Sequence, residues 1–469
     1  MDVGGQARVE RKGAALVLLC VAQFVDVLDV NAVIVALHSI GQDLGFSQAG
    51  LQWVVSAYVL FFAGFLLLSG RVADLWGRRL TFVAGLAVFT AASLCCGLSV
   101  SPEMLVVSRA FQGLGAATTA PALSIITTIF AEGRERDRAV AAWTAVAAGG
   151  GAAGLLLGGF ITDVLGWEWI FFVNVPVGVA AIALSHVLLP ERRDPAASRR
   201  LDLLGAGTVT SGLVLLVLGL TRTEEAGFGS PTTLATLGLA ATFFGAFVFV
   251  ERRAADPLVP LRLFRLHALV GAALVAFALT AATAPVGVLV TLYLQNTLGY
   301  SASLAGLAGL PFSLCVIAGS MMGGRISERI GGRVTMSLGL AVVAASALVT
   351  AGITAEGGVA YVLAGAALSG LGLGFASVAS TARGTSAVEE GKRGLASGFM
   401  NTSAQVGTAL GLAALLTLAA TRTAALSDGA ESAAVALVAG YRLAFLVAAG
   451  VASLGVVAAL YFFRQAKKS

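Results

Sequence analysis

Three ionisable side chains stand inside long apolar runs of this chain: Asp26 and Asp29 within residues 14–37, and Arg109 within residues 104–130. At the centre of a bilayer each costs about 3 kcal/mol to insert, so such residues are retained for what they do. Asp26 and Asp29 are three apart and share one helix face. A rise of about 1.5 Å per residue puts Asp29 roughly 12 Å in from Leu37, and Arg109, six residues past Glu103, roughly 9 Å in. Equal depth lets the two meet. A buried carboxylate resists ionisation and a neighbouring guanidinium reverses that bias, so an aspartate that alternately meets and loses an arginine takes up and releases a proton. That chemistry is proton coupling, with Asp29 and Arg109 as its core and Asp26 as a third member.

The elements that would position them are spanning helices. Of 469 residues 58% are hydrophobic and only 12% charged, with a mean hydropathy of +0.91, which describes a polytopic membrane protein. Runs of about 20 apolar residues fall near 14–37, 50–69, 80–100, 104–130, 139–161, 169–189, 203–221, 232–250, 267–293, 303–323, 334–353, 358–381, 394–420 and 439–463. The expected fold is all-α, with fourteen transmembrane helices. Charge tests that division independently, because basic residues are retained on the cytoplasmic side. With both termini inside, 26 of the 30 Lys and Arg residues fall in cytoplasmic segments. Slipping the frame by one helix destroys the asymmetry. The net charge of +5 is therefore topology rather than a nucleic-acid footprint. Arg8, Arg11 and Lys12 precede the first apolar run as in a signal peptide, yet the run continues to Leu37 without a small-residue cleavage site and is expected to stay as the first span.

Between the second and third spans lies Gly70-Arg-Val-Ala-Asp74-Leu-Trp-Gly77-Arg78-Arg79, too polar for lipid. Its spelling resembles the loop motif G-x-x-x-D-x-x-G-R-[RK] of the major facilitator superfamily. The resemblance implies a cytoplasmic latch, in which Asp74 and the arginines hold two halves of a transporter together while the outer side is open. Gly324-Arg-Ile-Ser-Glu328-Arg-Ile-Gly331-Gly-Arg333 repeats the loop later in the chain. Both copies follow the second span of a six-helix group, which predicts an N-terminal bundle in 1–190, a two-helix insertion in 191–265 acting as a spacer or scaffold, and a C-terminal bundle in 266–469.

The resemblance narrows further. Leu28-Asp29 with Val33, Val35-Ala36-Leu37 and Ile40, and Arg109 through Gly115, are similar to the first- and fourth-helix motifs of the fourteen-helix drug:proton antiporters, whose arginine is assigned to proton transfer. Asn31, Ile34 and His38 depart from that pattern. In the fifth span Gly150, Gly154 and Gly158 form a stripe for close helix packing. With Gly159 it resembles the antiporter signature, Leu155 replacing its proline. The run Trp167 to Gly178 resembles the sixth-helix entrance, with Glu168 where arginine is usual.

A substrate cavity would be apolar and aromatic with a few polar anchors, and Trp53, Tyr58, Gln112, Trp143, Asn401 and Gln405 are the candidates. Gln52 belongs to the same set. No Walker loop is present, and the three histidines and four cysteines form no metal or disulfide pattern. No enzyme activity, cofactor or metal is expected. The expectation is a proton-coupled exporter of small amphipathic drugs or antibiotics in the cytoplasmic membrane, working as a monomer. A metabolite symporter or facilitator on the same fold is the alternative, and a non-transporting receptor would leave the buried charges without a purpose.

Overall fold

A computed structural model describes the chain apart from residues 1–2, 48–49, 120–121, 131–133, 190–201, 228, 255–256, 258–260, 390–392, 428–432 and 464–469. Side chains at some helical positions, Arg71 and Asp74 among them, and the surroundings of Gly70 lie outside that description as well. Helices in chain order are α1 (Val3–Leu44), α2 (Trp53–Trp76), α3 (Arg78–Gly97), α4 (Pro102–Thr119), α5 (Ala122–Ile129), α6 (Arg134–Leu165), α7 (Glu168–Phe172) and α8 (Asn174–Leu188). Then follow α9 (Leu203–Ala226), α10 (Pro231–Arg253), α11 (His267–Leu292), α12 (Ala302–Ala308), α13 (Leu310–Ile330), α14 (Gly332–Thr350), α15 (Val359–Ser386), α16 (Arg393–Ser427) and α17 (Ala433–Phe462). Taking α4 with α5, α7 with α8 and α12 with α13 as single passes gives fourteen among the described residues. Among the described residues, eleven segments are individually long and apolar enough to cross a bilayer.

Two of the breaks have a covalent cause. Proline has no N–H to donate four residues back, so Pro176 cannot pair with the Phe172 carbonyl where α7 ends, nor Pro311 with that of Leu307 beside the Gly309 break. At the end of α11 the ladder widens into a π-turn, Tyr293–Thr297.

In the first bundle α1 packs on α6, α2 and α3 on α4, and α3 on α8. The second repeats this with α11 on α16, α13 and α14 on α15, and α14 on α17. Gly77 joins α2 to α3 at φ 103°, ψ 138°, and Gly331 joins α13 to α14 at φ 85°, ψ 146°. Such a φ is costly for any residue with a Cβ, so each repeat of the loop carries glycine at its turn. The end of the bundles bearing these two turns is called the loop end below, and the opposite one the far end.

The insertion touches both bundles. Helix α10 packs chiefly on α9, but α9 packs on both α2 and α16 and so touches both bundles. Gln52 Nε2 donates to Thr221 Oγ1 of α9 at 3.0 Å. Between the bundles themselves, Gln295 Nε2 in the π-turn donates to the Val35 carbonyl at 2.9 Å, and Asp163 accepts from Ala302 N and Ser303 N at 3.0 and 2.8 Å. These bonds lie toward the far end, where the bundles are closed on each other.

Candidate functional site

Small residues let the charged helix sit deep in its bundle. A Cβ at Gly154 would lie 2.6 Å from the Leu28 carbonyl, and one at Gly158 would lie 2.5 Å from Ala32 Cα. Gly150 faces the Phe24 carbonyl. The expected stripe thus presses α6 onto α1 on either side of Asp29, backbone against backbone. On α4, Gly113 does the same against the Tyr58 carbonyl of α2 and Gly115 against Phe89 N of α3, which brings Arg109, one turn earlier, beside α1 and α2.

The structure joins the two residues whose depth predicted a meeting. Arg109 Nη1 donates to Asp29 Oδ2 at 2.5 Å, and both side chains are 0% exposed. An enclosed ion pair repays its desolvation only when its remaining lone pairs and protons are also matched. Here most are. Asp29 Oδ1 accepts from Gln112 Nε2 at 3.0 Å and from Asn174 Nδ2 at 2.7 Å, while Gln112 Nε2 also reaches Ser93 Oγ at 2.8 Å. Arg109 Nη1 donates again to Gln112 Oε1 at 2.6 Å, and Nε donates to the Val54 carbonyl at 2.9 Å. The guanidinium lies 4.5 Å from the Tyr58 ring centre and 5.8 Å from that of Phe171, where the negative face of each ring stabilises it. Two atoms are left over: Arg109 Nη2 and Asn174 Oδ1 are buried with no hydrogen-bond partner.

Asp26, one turn from Asp29, does not join the arginine directly. It accepts a hydrogen bond from the Tyr58 hydroxyl, and the Tyr58 ring separates it from Arg109. Asp26 also lines a small cavity with Asn174, between α1, α3 and α8. The arrangement is a carboxylate paired with a guanidinium inside an apolar bundle, with a second carboxylate a phenol away.

Several expected cavity residues are placed otherwise. Gln112 and Tyr58 are buried members of the carboxylate's surroundings rather than cavity walls, because the close approaches at Gly113 enclose them between α2 and α4. Gln52 is buried against α9. Trp143 packs beside a core cluster formed by Leu18, Phe82 and Ile126, and Trp53 packs on the main core. Asn401 is exposed and Gln405 half-buried on the third and fourth turns of α16. In the loop, Asp74 and the surroundings of Gly70 fall outside the described residues. Arg79 Nη1 donates to the His186 and Leu189 carbonyls of its own bundle, each at 3.4 Å. Arg78 also has a partner, and Arg333 Nε, beyond the second turn, is buried without one. Gly159 faces away from α1 and meets the Ala302 carbonyl of the second bundle.

Asn174 and Ser93 are neighbours of the Asp29 pair that sequence reasoning missed. Asn174 was legible in principle as an amide in an apolar span one position past a proline-induced break. Ser93 carries no such signal, since serines are common in membrane helices.

Two repeated bundles, a two-helix insertion and a buried aspartate–arginine pair in the first bundle define a transporter-like membrane fold. The Major Facilitator Superfamily profile matches residues 19–412 and, separately, 270–469, and the chain belongs to that family. It is 42% identical to the cephamycin export protein of Amycolatopsis lactamdurans over 90% of this chain and 87% of that one. It is 39% identical to the puromycin resistance protein pur8 of Streptomyces alboniger, over 96% and 91%. Among solved structures, the POT family transporter PepTSo superposes with a TM-score of 0.69 at 15% identity, over 96% and 97%, which speaks to the fold alone.

Proposed function

We propose that the protein exports small amphipathic drugs or antibiotics across the cell membrane by alternating access, exchanging each for protons carried on Asp29. The observation that carries the coupling is the enclosed Asp29–Arg109 pair, an expense in hydrocarbon that no packing requirement explains. Resemblance to relatives named for antibiotic export and resistance supports the cargo class. The loop end, rich in arginine, is the cytoplasmic one by the retention of positive charge, with both termini inside. The described state is then closed to the outside, and the loop latch around Asp74 belongs to the opposite state. Residues 1–190 and 266–469 act as the two rocking units, with 191–265 as the insertion, and one chain suffices for the cycle.

When the bundles part on the outer side, protons reach Asp29 and its bond to Arg109, within the first bundle, gives way to protonation as cargo leaves. Returning inward restores the pair and releases the proton. In proteoliposomes with an imposed pH gradient, puromycin should move against the proton flow, and Asp29→Asn should abolish the dependence on that gradient. Movement with the proton flow would make the protein a symporter, and gradient-dependent export by Asp29→Asn would remove Asp29 as carrier.

A further inference from the structure

Helix α6 carries a second stripe, turned away from α1. Leu155, Gly159 and Asp163 succeed one another at four-residue spacing and all meet the opposite bundle. A Cβ at Gly306 would lie 2.1 Å from the Leu155 carbonyl, and Leu155 Cδ1 comes within 2.8 Å of one at Gly309. A Cβ at Gly159 would lie 2.5 Å from the Ala302 carbonyl. At the far end of the stripe Asp163 accepts from two consecutive backbone N–H groups of α12, Ala302 at 3.0 Å and Ser303 at 2.8 Å. Ser301 Oγ, from α12's own flank, takes the next, Leu304 N at 3.3 Å. The backbone donors that open α12 are therefore shared between its own serine and a carboxylate from the other bundle. Bonds in which the acceptor is charged are about twice as strong as neutral ones.

We infer that Asp163 is a positioning residue of the transport cycle, holding the far ends of the two bundles together and setting how often that side opens. The inference rests on the alternating-access reading above but not on the identity of the proton carrier. Opening the far side must part α6 from α12, so both Asp163 bonds break in every cycle, whereas the α6–α1 stripe moves as one body. Asp163 would thus hold the outward side by contacts unrelated to the loop motif at the other end.

The test is a distance measurement between spin labels at Val100→Cys and Glu356→Cys, at the far ends of the two bundles, in full-length protein whose four native cysteines are replaced by alanine. Asp163→Ala should raise the ratio of far-open to far-closed molecules about tenfold, the equivalent of one charge-assisted bond. Asp163→Asn, which keeps an acceptor oxygen, should raise it less. Ser303→Pro removes one of the two donors where a helix tolerates proline, and it should act like Asp163→Ala in part. The double variant should open no further than Asp163→Ala alone. A label pair within the first bundle, Val100 with Leu165, should keep its distance throughout, which separates gating from misfolding. An unchanged ratio in Asp163→Ala, or full additivity with Ser303→Pro, overturns the inference. Puromycin export lost in the parent chain would instead count against the function proposed above.

Discussion

The two bundles share a scaffold and differ in charge. In the first, Gly154 closes on the Leu28 carbonyl, and in the second Gly411 closes on the Ala281 carbonyl, with Gly150 over Phe24 matched by Gly407 over Phe277. Gly113 and Gly115 of α4, against α2 and α3, have counterparts in Gly370 and Gly372 of α15, against α13 and α14. These pairings put Ala282 where the first bundle has Asp29, Ala366 where it has Arg109 and Ser369 where it has Gln112. Close glycine packing is therefore what both bundles need to exist. The ion pair is an addition to one of them, and its cost has to be met by function rather than by folding.

The largest effect should come from breaking the pair on one side. Asp29→Ala strands a fully enclosed Arg109 and should destabilise the protein by about 3–5 kcal/mol. Thermal unfolding in detergent would register it. Converting both residues toward the second bundle's chemistry, Asp29→Ala with Arg109→Met, should recover most of that stability while export stays lost; continued instability would mean the pair does hold the bundle together. The reverse transplant, Ala282→Asp, puts an unmatched carboxylate into the second bundle and should cost about 3 kcal/mol by the same assay. Next in size, Asn174→Leu removes a bond to a charged acceptor, about 1.5–3 kcal/mol, and should shift the pH at which export is half-maximal. A pH profile identical to the parent would confine Asn174 to packing. Smallest, and the sharpest check of shared scaffold, Gly154→Ala and Gly411→Ala should each destabilise by about 1–3 kcal/mol, and by similar amounts. Only Gly154→Ala should also alter the pH dependence of export, because it displaces Leu28 and with it Asp29.

Much of this was legible without coordinates, for physical reasons that also mark the boundary. Hydropathy and the arginine asymmetry located all fourteen passes, since lipid allows so few solutions. Asp29 and Arg109 declared themselves by rarity, and helical rise alone placed them at one depth. The two breaks beside Pro176 and Pro311 were not read, because a proline in a membrane helix is often absorbed by its neighbours. Gln112 was assigned to a cavity wall because sequence says which residues are polar, not which of them a glycine contact encloses. Asp163 sat at the end of a span, where acidic residues ordinarily face water, and its partners lie far along the chain in Ala302 and Ser303. The repeat of the glycine contacts at Gly407 and Gly411 escaped notice for a similar reason, since only the helix facing them gives such stripes a meaning.

The placement of α9 against both α2 and α16 has a mechanical consequence. Any rocking of the bundles shears α9 along at least one of them, and α10, packed chiefly on α9 and otherwise largely exposed, is dragged with it. Lipid thickness then acts as a damper on turnover, so the same protein should run at different speeds in short-chain and long-chain membranes even where driving force and cargo are identical.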